Sequence, residues 1–159
     1  KVNGNSSNKM SNSDVSKARL NIGMVFQDYK LLPDRNLYEN IALPLHVMGF
    51  TSNQIASRVD EAIELVGLEG KESHLPKELS GGEQQRASLA RAFIKEPDII
   101  LADEPTGNLD PVASFELVRL LETINETGTT VLMASHNYNL IKGRGRPIFE
   151  LKNGILRVR

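Results

Sequence analysis

Two adjacent acidic residues follow a short apolar run in the string IILADEPTGNLD, and they are the strongest chemical signal in the sequence. The run predicts a buried strand covered on both faces, and ligands of open α/β sheets collect beyond the carboxyl ends of such strands. There Asp103 could hold Mg²⁺ while Glu104 orients or deprotonates an attacking water. The alternative is two acids that cap a turn, which the flanking ILA and PTGNLD strings disfavour.

Two further polar residues end predicted strands in the same way. His136 follows TTVLMA, and Gln27 follows NIGMVF. A histidine at this place can donate to a developing phosphoryl charge, and an amide can reach a metal or an attacking water. Taken alone, each is also what an ordinary loop histidine or strand-ending glutamine looks like. His46 and His74 have no comparable context, and the sequence suggests no metal cluster of histidines and carboxylates.

The string LSGGEQQR, residues 79–86, has almost no apolar content although it opens a predicted helix. Ser80 and Glu83 have the spacing of a capping box, and Gly81 and Gly82 let another molecule approach the backbone closely. Free N–H groups and the helix dipole suit a phosphate, with the dipole alone contributing about 0.3–2 kcal/mol. A glycine-softened cap on a surface helix is the alternative interpretation.

The elements that must position these residues alternate between strands and long helices in the second half of the chain. Buried strands are predicted at 21–26, 98–102 and 129–134, a hairpin at 148–158, and helices at 36–50, 51–67, 80–96 and 110–128. Asn36, Ser80 and Asp110 are the predicted helix caps. This alternation predicts an α/β fold with parallel strands.

Four segments follow from this pattern. We expect a polar loop or disordered start over 1–20, a core strand over 21–27, a helical subdomain over 28–97, and an α/β half over 98–159. The net charge is −1, which predicts no general attraction to nucleic acid. The chain lacks cysteine, which excludes disulfides and thiolate metal sites. It also contains no run of about 18 apolar residues of the kind that crosses a membrane.

The order of VFQD, LSGGEQQR, ILADEPTGNLD and ASHN resembles the Q-loop, signature motif, Walker B with D-loop, and H-switch of ATP-binding-cassette ATPases. The resemblance covers about residues 21–159 and implies a P-loop NTPase-like fold with a helical subdomain. It implies that Gln27 contacts Mg²⁺ and the attacking water, and that Asp103 serves the metal. Glu104 would then be the catalytic base, and His136 would contact the γ-phosphate of ATP.

The resemblance also implies a second copy of the chain. Ser80, Gly81 and Gly82, with Gln84 nearby, would bind the γ-phosphate held by that copy, and Asp110 would lie in a loop that crosses the interface. Two chains would thus pair head to tail as a homodimer. An integral membrane permease subunit is the other implied partner, which places the protein at the cytoplasmic face of the cell membrane.

The string FQDYKLLPDRNLYENIALPL favours the cell-division branch of this family over the lipoprotein-release and macrolide-export branches. One family motif has no match, because no G-x-x-x-x-G-K-[ST] string is present. GLEGKES offers Gly70 and Lys71, but its glycine spacing is wrong, and we interpret it as a decoy. We therefore expect an N-terminally truncated, incomplete fold that alone neither binds ATP tightly nor hydrolyses it.

Two hypotheses from other classes stay open at this point. The string GRGRP, residues 143–147, resembles the core of a minor-groove AT-hook, although an exposed basic loop is the simpler interpretation. The second hypothesis is a catalytically incomplete interaction fragment that only docks onto a membrane partner. The presence of both Glu104 and His136 argues against a long-standing loss of catalysis.

Overall fold

A three-stranded parallel sheet lies at the centre of the computed structural model, which describes residues 11–159. The spatial order is β1 (Ile22–Phe26), β2 (Ile99–Asp103) and β3 (Thr130–Ala134). The register aligns Phe26 with Asp103, and Asp103 with Ala134. The predicted parallel arrangement is confirmed, and the carboxyl ends of all three strands meet at one edge.

The helices that lie between β1 and β2 in the sequence pack against one another. The α-helices of the described residues are α1 (Asn12–Leu20), α2 (Leu37–Met48), α3 (Ser52–Leu65), α4 (Gly81–Phe93), α5 (Pro111–Glu126) and the short α6 (Tyr138–Ile141). The caps Asn36, Ser80 and Asp110 are confirmed, since each side chain accepts a backbone N–H of the first turn. Within residues 11–159 no helix is both long and apolar enough to cross a bilayer.

Helix α4 contributes to two hydrophobic cores. One face carries Ala87 and Ala90 into a helical core built mainly from α2 and α3. The other face carries Leu89 and Ala92 into a core formed with the sheet and α5. The offsets between these positions are those of opposite faces of one helix. The helix that begins with the glycine-rich string therefore packs against both cores. The segment boundaries predicted above stay a prediction.

The contact between α4 and β1 depends on a glycine. A Cβ atom at Gly23 would lie 2.8 Å from the carbonyl oxygen of Ala92 and 3.0 Å from Cγ1 of Ile100. Only a residue without a side chain fits there without displacing the helix backbone. Nothing in the string NIGMVF by itself indicates this requirement.

The chain ends in the predicted hairpin, formed by β4 (Phe149–Lys152) and the antiparallel β5 (Ile155–Val158). Asn153 and Gly154 connect the strands with φ angles of 50° and 76°. Two consecutive positive φ angles are the mark of the type I′ turn that the sequence predicts.

Two structural expectations are wrong. Residues 12–20, expected to be loop or disordered, form α1, because Ser11 and Asp14 make a capping box at its start; residues 1–10 of that predicted segment lie outside the described residues. The sheet is not fully covered on both faces, and on the less covered face Leu101 of β2 is only partly buried. Leu132 is 55 % exposed and Met24 on β1 is 38 % exposed, because no layer within residues 11–159 covers that face of the sheet.

Candidate functional site

The residues predicted to do chemistry gather at one edge of the sheet. Parallel register brings the ends of β1, β2 and β3 together, and the chain leaves each strand at the same edge. The residues at or just beyond these strand ends are Gln27, Asp103, Glu104 and His136. This is the edge at which ligands of open α/β sheets bind.

The backbone of Glu104 has a left-handed conformation with φ of 44°, which residues other than glycine adopt rarely. Its N–H donates to the Ala134 carbonyl at 3.0 Å, and its carbonyl accepts from the Gly107 N–H at 3.0 Å. These bonds hold the unusual conformation from both sides. Strain of this kind persists where the surrounding structure fixes it, and it concentrates at functional sites.

The carboxylate of Glu104 has a buried oxygen, Oε2, with no hydrogen-bond donor among the described residues. Nδ1 of His136 lies 2.9 Å from Oε2, but the two groups are not aligned as a hydrogen bond. The Glu104 side chain is 26 % exposed, whereas that of His136 is 80 % exposed. A buried acceptor without a donor costs free energy, so this oxygen is available to accept a hydrogen bond from a ligand or a water.

Gln27 pairs with a residue that sequence analysis did not single out. Its Nε2 donates to Oδ1 of Asn108 at 3.2 Å, and Nδ2 of Asn108 donates to the Gln27 carbonyl at 3.1 Å. A Cβ atom at Gly107 would come within 2.7 Å of the Gln27 amide nitrogen, so the glycine makes room for this side chain. The only sequence signal was the presence of Asn108 in the string that follows the two acids.

Asp103 ends β2 with an exposed side chain beside Glu104. No group of three or more histidines and acids that could hold a metal ion occurs among residues 11–159. Mg²⁺ needs fewer protein ligands, because it is usually held by one or two carboxylates together with substrate phosphates and waters. The oxygens of Asp103 and Gln27, next to the donor-free Oε2 of Glu104, therefore fit this ion.

The glycines of the string LSGGEQQR also lie in close contact with neighbouring segments. A Cβ atom at Gly81 would lie 2.9 Å from the Tyr29 hydroxyl, and one at Gly82 would lie 3.1 Å from Cβ of Ala113. The start of α4 therefore lies against both the segment after β1 and the start of α5. Burial raises the pKa of Tyr29 above its ordinary value.

The other predicted ligand residues hold backbone groups in this structure. Gln84 donates to the Leu79 carbonyl at 3.0 Å, and Asp110 accepts from the N–H groups of Val112 and Ala113. In the described part of the chain, no hydrogen bond or ion pair joins the two groups of predicted site residues directly. The group at the start of α4 comprises Ser80, Gly81, Gly82 and Gln84, and the group at the sheet edge comprises Gln27, Asp103, Glu104 and His136.

Lys71, set aside above as part of a decoy string, binds the first turn of α4. Its Nζ donates to a carboxylate oxygen of Glu83, whose other oxygen accepts from the Ser80 N–H at 2.8 Å. These contacts, with Lys71 the larger cause, lower the pKa of Glu83 to about 2. The loop before the glycine-rich string is thus tied to the turn that this string caps.

Glu83→Gln is expected to reduce the acid sensitivity of folding. The folded-state pKa of Glu83 is about 2, below the ordinary 4.5, so its contribution to stability is complete above pH of about 4.5 and is lost as the pH falls towards 2. Urea unfolding at several pH values in this window measures the free energy of unfolding. This free energy should fall less with decreasing pH in Glu83→Gln and in Lys71→Met than in the parent chain. Lys77→Met, at an exposed lysine, is the control, and an unchanged decline in Glu83→Gln would contradict the assignment.

Arg144 has a largely buried side chain, although its neighbours in the string GRGRP are exposed. Its side chain is only 15 % exposed, and Nη1 donates to Oε2 of Glu122 at 2.8 Å. Nε donates to the Leu140 carbonyl at 2.6 Å, and the guanidinium lies 5.0 Å from the Phe115 ring centroid. The residue fastens the segment after His136 onto α5, and the exposed-loop interpretation is wrong for this position.

Comparisons with known proteins agree with the motif order. Residues 1–107 match the family model described as ABC transporter. The Cell division ATP-binding protein FtsE of Mycobacterium tuberculosis is 50 % identical over 149 residues, and its counterpart in Streptococcus pneumoniae serotype 2 is 49 % identical over 146 residues. A solved dimeric ATP-binding cassette in a post-hydrolysis state with ADP and Pi is 34 % identical, with a TM-score of 0.86.

The chain spans only part of the length of its relatives. The two curated relatives match 94 % and 92 % of this chain, which spans 65 % and 64 % of their own lengths. The solved cassette matches 99 % of this chain, which covers 71 % of that structure. The similarity therefore extends over both hydrophobic cores and over the sheet edge.

Proposed function

The chain belongs to the ABC transporter family, and from that premise we propose that it acts in an ATP-hydrolysing subunit of the cell-division type, which couples ATP turnover to a membrane partner. The observation that carries the proposal is the donor-free carboxylate oxygen of Glu104 beside His136, at the edge where three parallel strands end. The names of the curated relatives support the cell-division branch.

Glu104 is the proposed general base. Its free oxygen accepts the proton of a water whose oxygen attacks the γ-phosphorus, and the bond from phosphorus to the leaving ADP oxygen breaks, giving ADP, phosphate and a proton. The backbone bonds to Ala134 and Gly107 aim the carboxylate before substrate arrives. The exposed imidazole of His136 donates a hydrogen bond to the γ-phosphate and so stabilises the charge that develops there.

Asp103 and Gln27 are the proposed protein ligands of Mg²⁺, with Gln27 also placed to contact the attacking water. When bound, the ion would neutralise charge on the phosphate oxygens. Gln27 is kept in place by its paired bonds to Asn108 and by the space that Gly107 leaves. A shift of this side chain would therefore move both a metal ligand and a neighbour of the water.

The start of α4 is proposed to serve a second copy of the chain. Gly81 and Gly82 present N–H groups of the first turn at the positive end of a helix, and Ser80 adds its hydroxyl, which favours a phosphate. Gln84 lies in the same turn, and Asp110 begins the next helix at the proposed interface. Pairing head to tail as a homodimer brings the start of α4 in one copy to the nucleotide held by the other.

The proposed membrane partner is a permease subunit similar to FtsX, and the protein would then lie on the inner, cytoplasmic face of the cell membrane. A lipoprotein-release or macrolide-export ATPase is the rival within the same family. Purification from detergent-solubilised membranes separates the two, because each branch requires a different membrane subunit. A membrane subunit of the lipoprotein-release type would replace the cell-division proposal.

Hydrolysis of MgATP tests the proposal directly. We would compare the 159-residue chain with a version extended at its N terminus by a strand and a G-x-x-x-x-G-K-[ST] loop, because the printed sequence has no such string to cradle phosphates. Phosphate release is expected only from the extended chain. Hydrolysis by the short chain would show that other residues hold the phosphates, and no hydrolysis by either chain would favour an interaction fragment.

A further inference from the structure

Gln85 connects the helix that begins at the glycine-rich string with two loops of the sheet edge. The side chain is fully buried, with no exposed surface. Its Nε2 donates to the carbonyl of Phe26 at 3.0 Å and to the carbonyl of Pro105 at 2.7 Å. Both protons of one amide group are thus used to hold two loops that lie far apart in the sequence.

The two carbonyls flank the proposed catalytic groups. Phe26 immediately precedes Gln27, and Pro105 immediately follows Glu104. We call the pair of hydrogen bonds from Nε2 to Phe26 and Pro105 the Gln85 bridge. Because both acceptors are backbone atoms next to a functional side chain, the bridge sets the separation between the loops that carry the two side chains.

No other α4 residue makes both connections within residues 11–159. Arg91 also holds the segment after β1, through the carbonyls of Tyr29 at 3.0 Å and Lys30 at 2.8 Å, but it does not reach the Glu104 loop. Gln85 lies five residues after Ser80, which is about 7.5 Å along a rigid helix. Because a helix of this length moves as a rigid unit, a displacement at the start of α4 also displaces the Gln85 side chain.

We propose that Gln85 is a positioning residue that transmits the position of α4 to Gln27 and Glu104. In a head-to-tail dimer, contact of the α4 start with the nucleotide of one site would then align the catalytic groups of the other site. The effect on catalysis rests on the proposed function, whereas the hydrogen bonds of the bridge lie within a single chain and do not depend on it. Oε1 of Gln85 accepts no hydrogen bond among the described residues, so the two donated bonds are its polar contacts.

Amide hydrogen exchange of the nucleotide-free chain tests the bridge. Gln85→Leu removes both donors at similar volume, and Gln85→Met is a second variant that repacks more easily. We expect exchange in segments 26–30 and 104–109 to rise by about tenfold or more in both variants, with α3 unchanged. Ser88→Ala is the matched control, because this serine is equally buried in α4 and its hydroxyl has no partner among the described residues. Unchanged exchange in either segment would overturn the bridge.

Steady-state hydrolysis by the extended chain tests the positioning role. We expect Gln85→Leu to lower kcat by about 10- to 100-fold, because small misplacements of catalytic groups are costly, with KM changed by no more than about twofold. Ser88→Ala should leave both constants unchanged. Raised exchange with an unchanged kcat would overturn the positioning role. If the parent chain hydrolyses no ATP, the proposed function fails, and the exchange experiment still decides whether the bridge exists.

Discussion

Replacing Glu104 with glutamine is expected to lower ATP turnover of the extended chain by about 10²- to 10⁴-fold, the range that a general base contributes. The amide keeps the shape of the carboxylate but cannot take up the proton of the attacking water. The variant should bind MgATP with little change, because the proposed phosphate contacts come from other residues. Phosphate release under saturating MgATP, together with equilibrium binding of a nucleotide analogue, measures the two quantities separately.

The same substitution should not weaken folding. Oε2 of Glu104 is buried and accepts no hydrogen bond among the described residues, and its 2.9 Å contact is with the largely exposed side chain of His136, so glutamine loses little here. The free energy of unfolding in urea should therefore be equal or higher in Glu104→Gln, as expected where a site is arranged for function at a cost in stability. Glu61→Gln, at an exposed acid on α3, is the control for activity. More than about one tenth of parental turnover in Glu104→Gln would contradict the role of base.

Gly23→Ala is expected to lower the free energy of unfolding by about 1–3 kcal/mol, the usual cost of overpacking, and Gly23→Val by more. A Cβ atom would lie 2.8 Å from a backbone oxygen of Ala92, and a helix backbone cannot rotate away as a side chain can. The helix must then separate from β1, which opens the core shared by Leu89 and Ile100. Urea unfolding followed by circular dichroism measures the change.

Gly107→Ala provides the matched comparison. The crowding is as close, with 2.7 Å to the nearest atom, but that atom is the terminal amide nitrogen of Gln27. A flexible side chain can move aside, so we expect stability to change by less than about 0.5 kcal/mol, the range of substitutions outside packed regions. Equal loss of stability in both variants would show that contact distance alone, and not the rigidity of the neighbour, decides the cost.

Sequence reasoning succeeded where the signal is local. The capping box of Ser80 and Glu83 spans one helical turn, and the turn at Asn153 and Gly154 needs two adjacent residues, so each could be predicted from its own string. The gathering of Gln27 and Glu104 at one edge was also predictable, because parallel strands end on the same side.

The features that sequence reasoning missed depend on contacts between distant segments. Gln85 gives no sign in its own string that it binds the carbonyls of Phe26 and Pro105. Lys71 was dismissed on motif spacing, and its ion pair with Glu83 requires the three-dimensional arrangement of a loop and a helix. Burial was likewise mispredicted for β3, because an apolar string does not say whether a second layer covers the strand.

The position of α4 between two hydrophobic cores has a consequence for how the chain unfolds. Ala87 and Ala90 face the helical core, while Leu89 and Ala92 face the sheet core, so the helix cannot leave one core without exposing the apolar surface of the other. The stabilities of the two cores are therefore coupled, although few helices and strands contribute to both. We therefore expect heat or denaturant that disrupts either core to disrupt the packing of α4 against the other, so that the described residues unfold as a single cooperative unit.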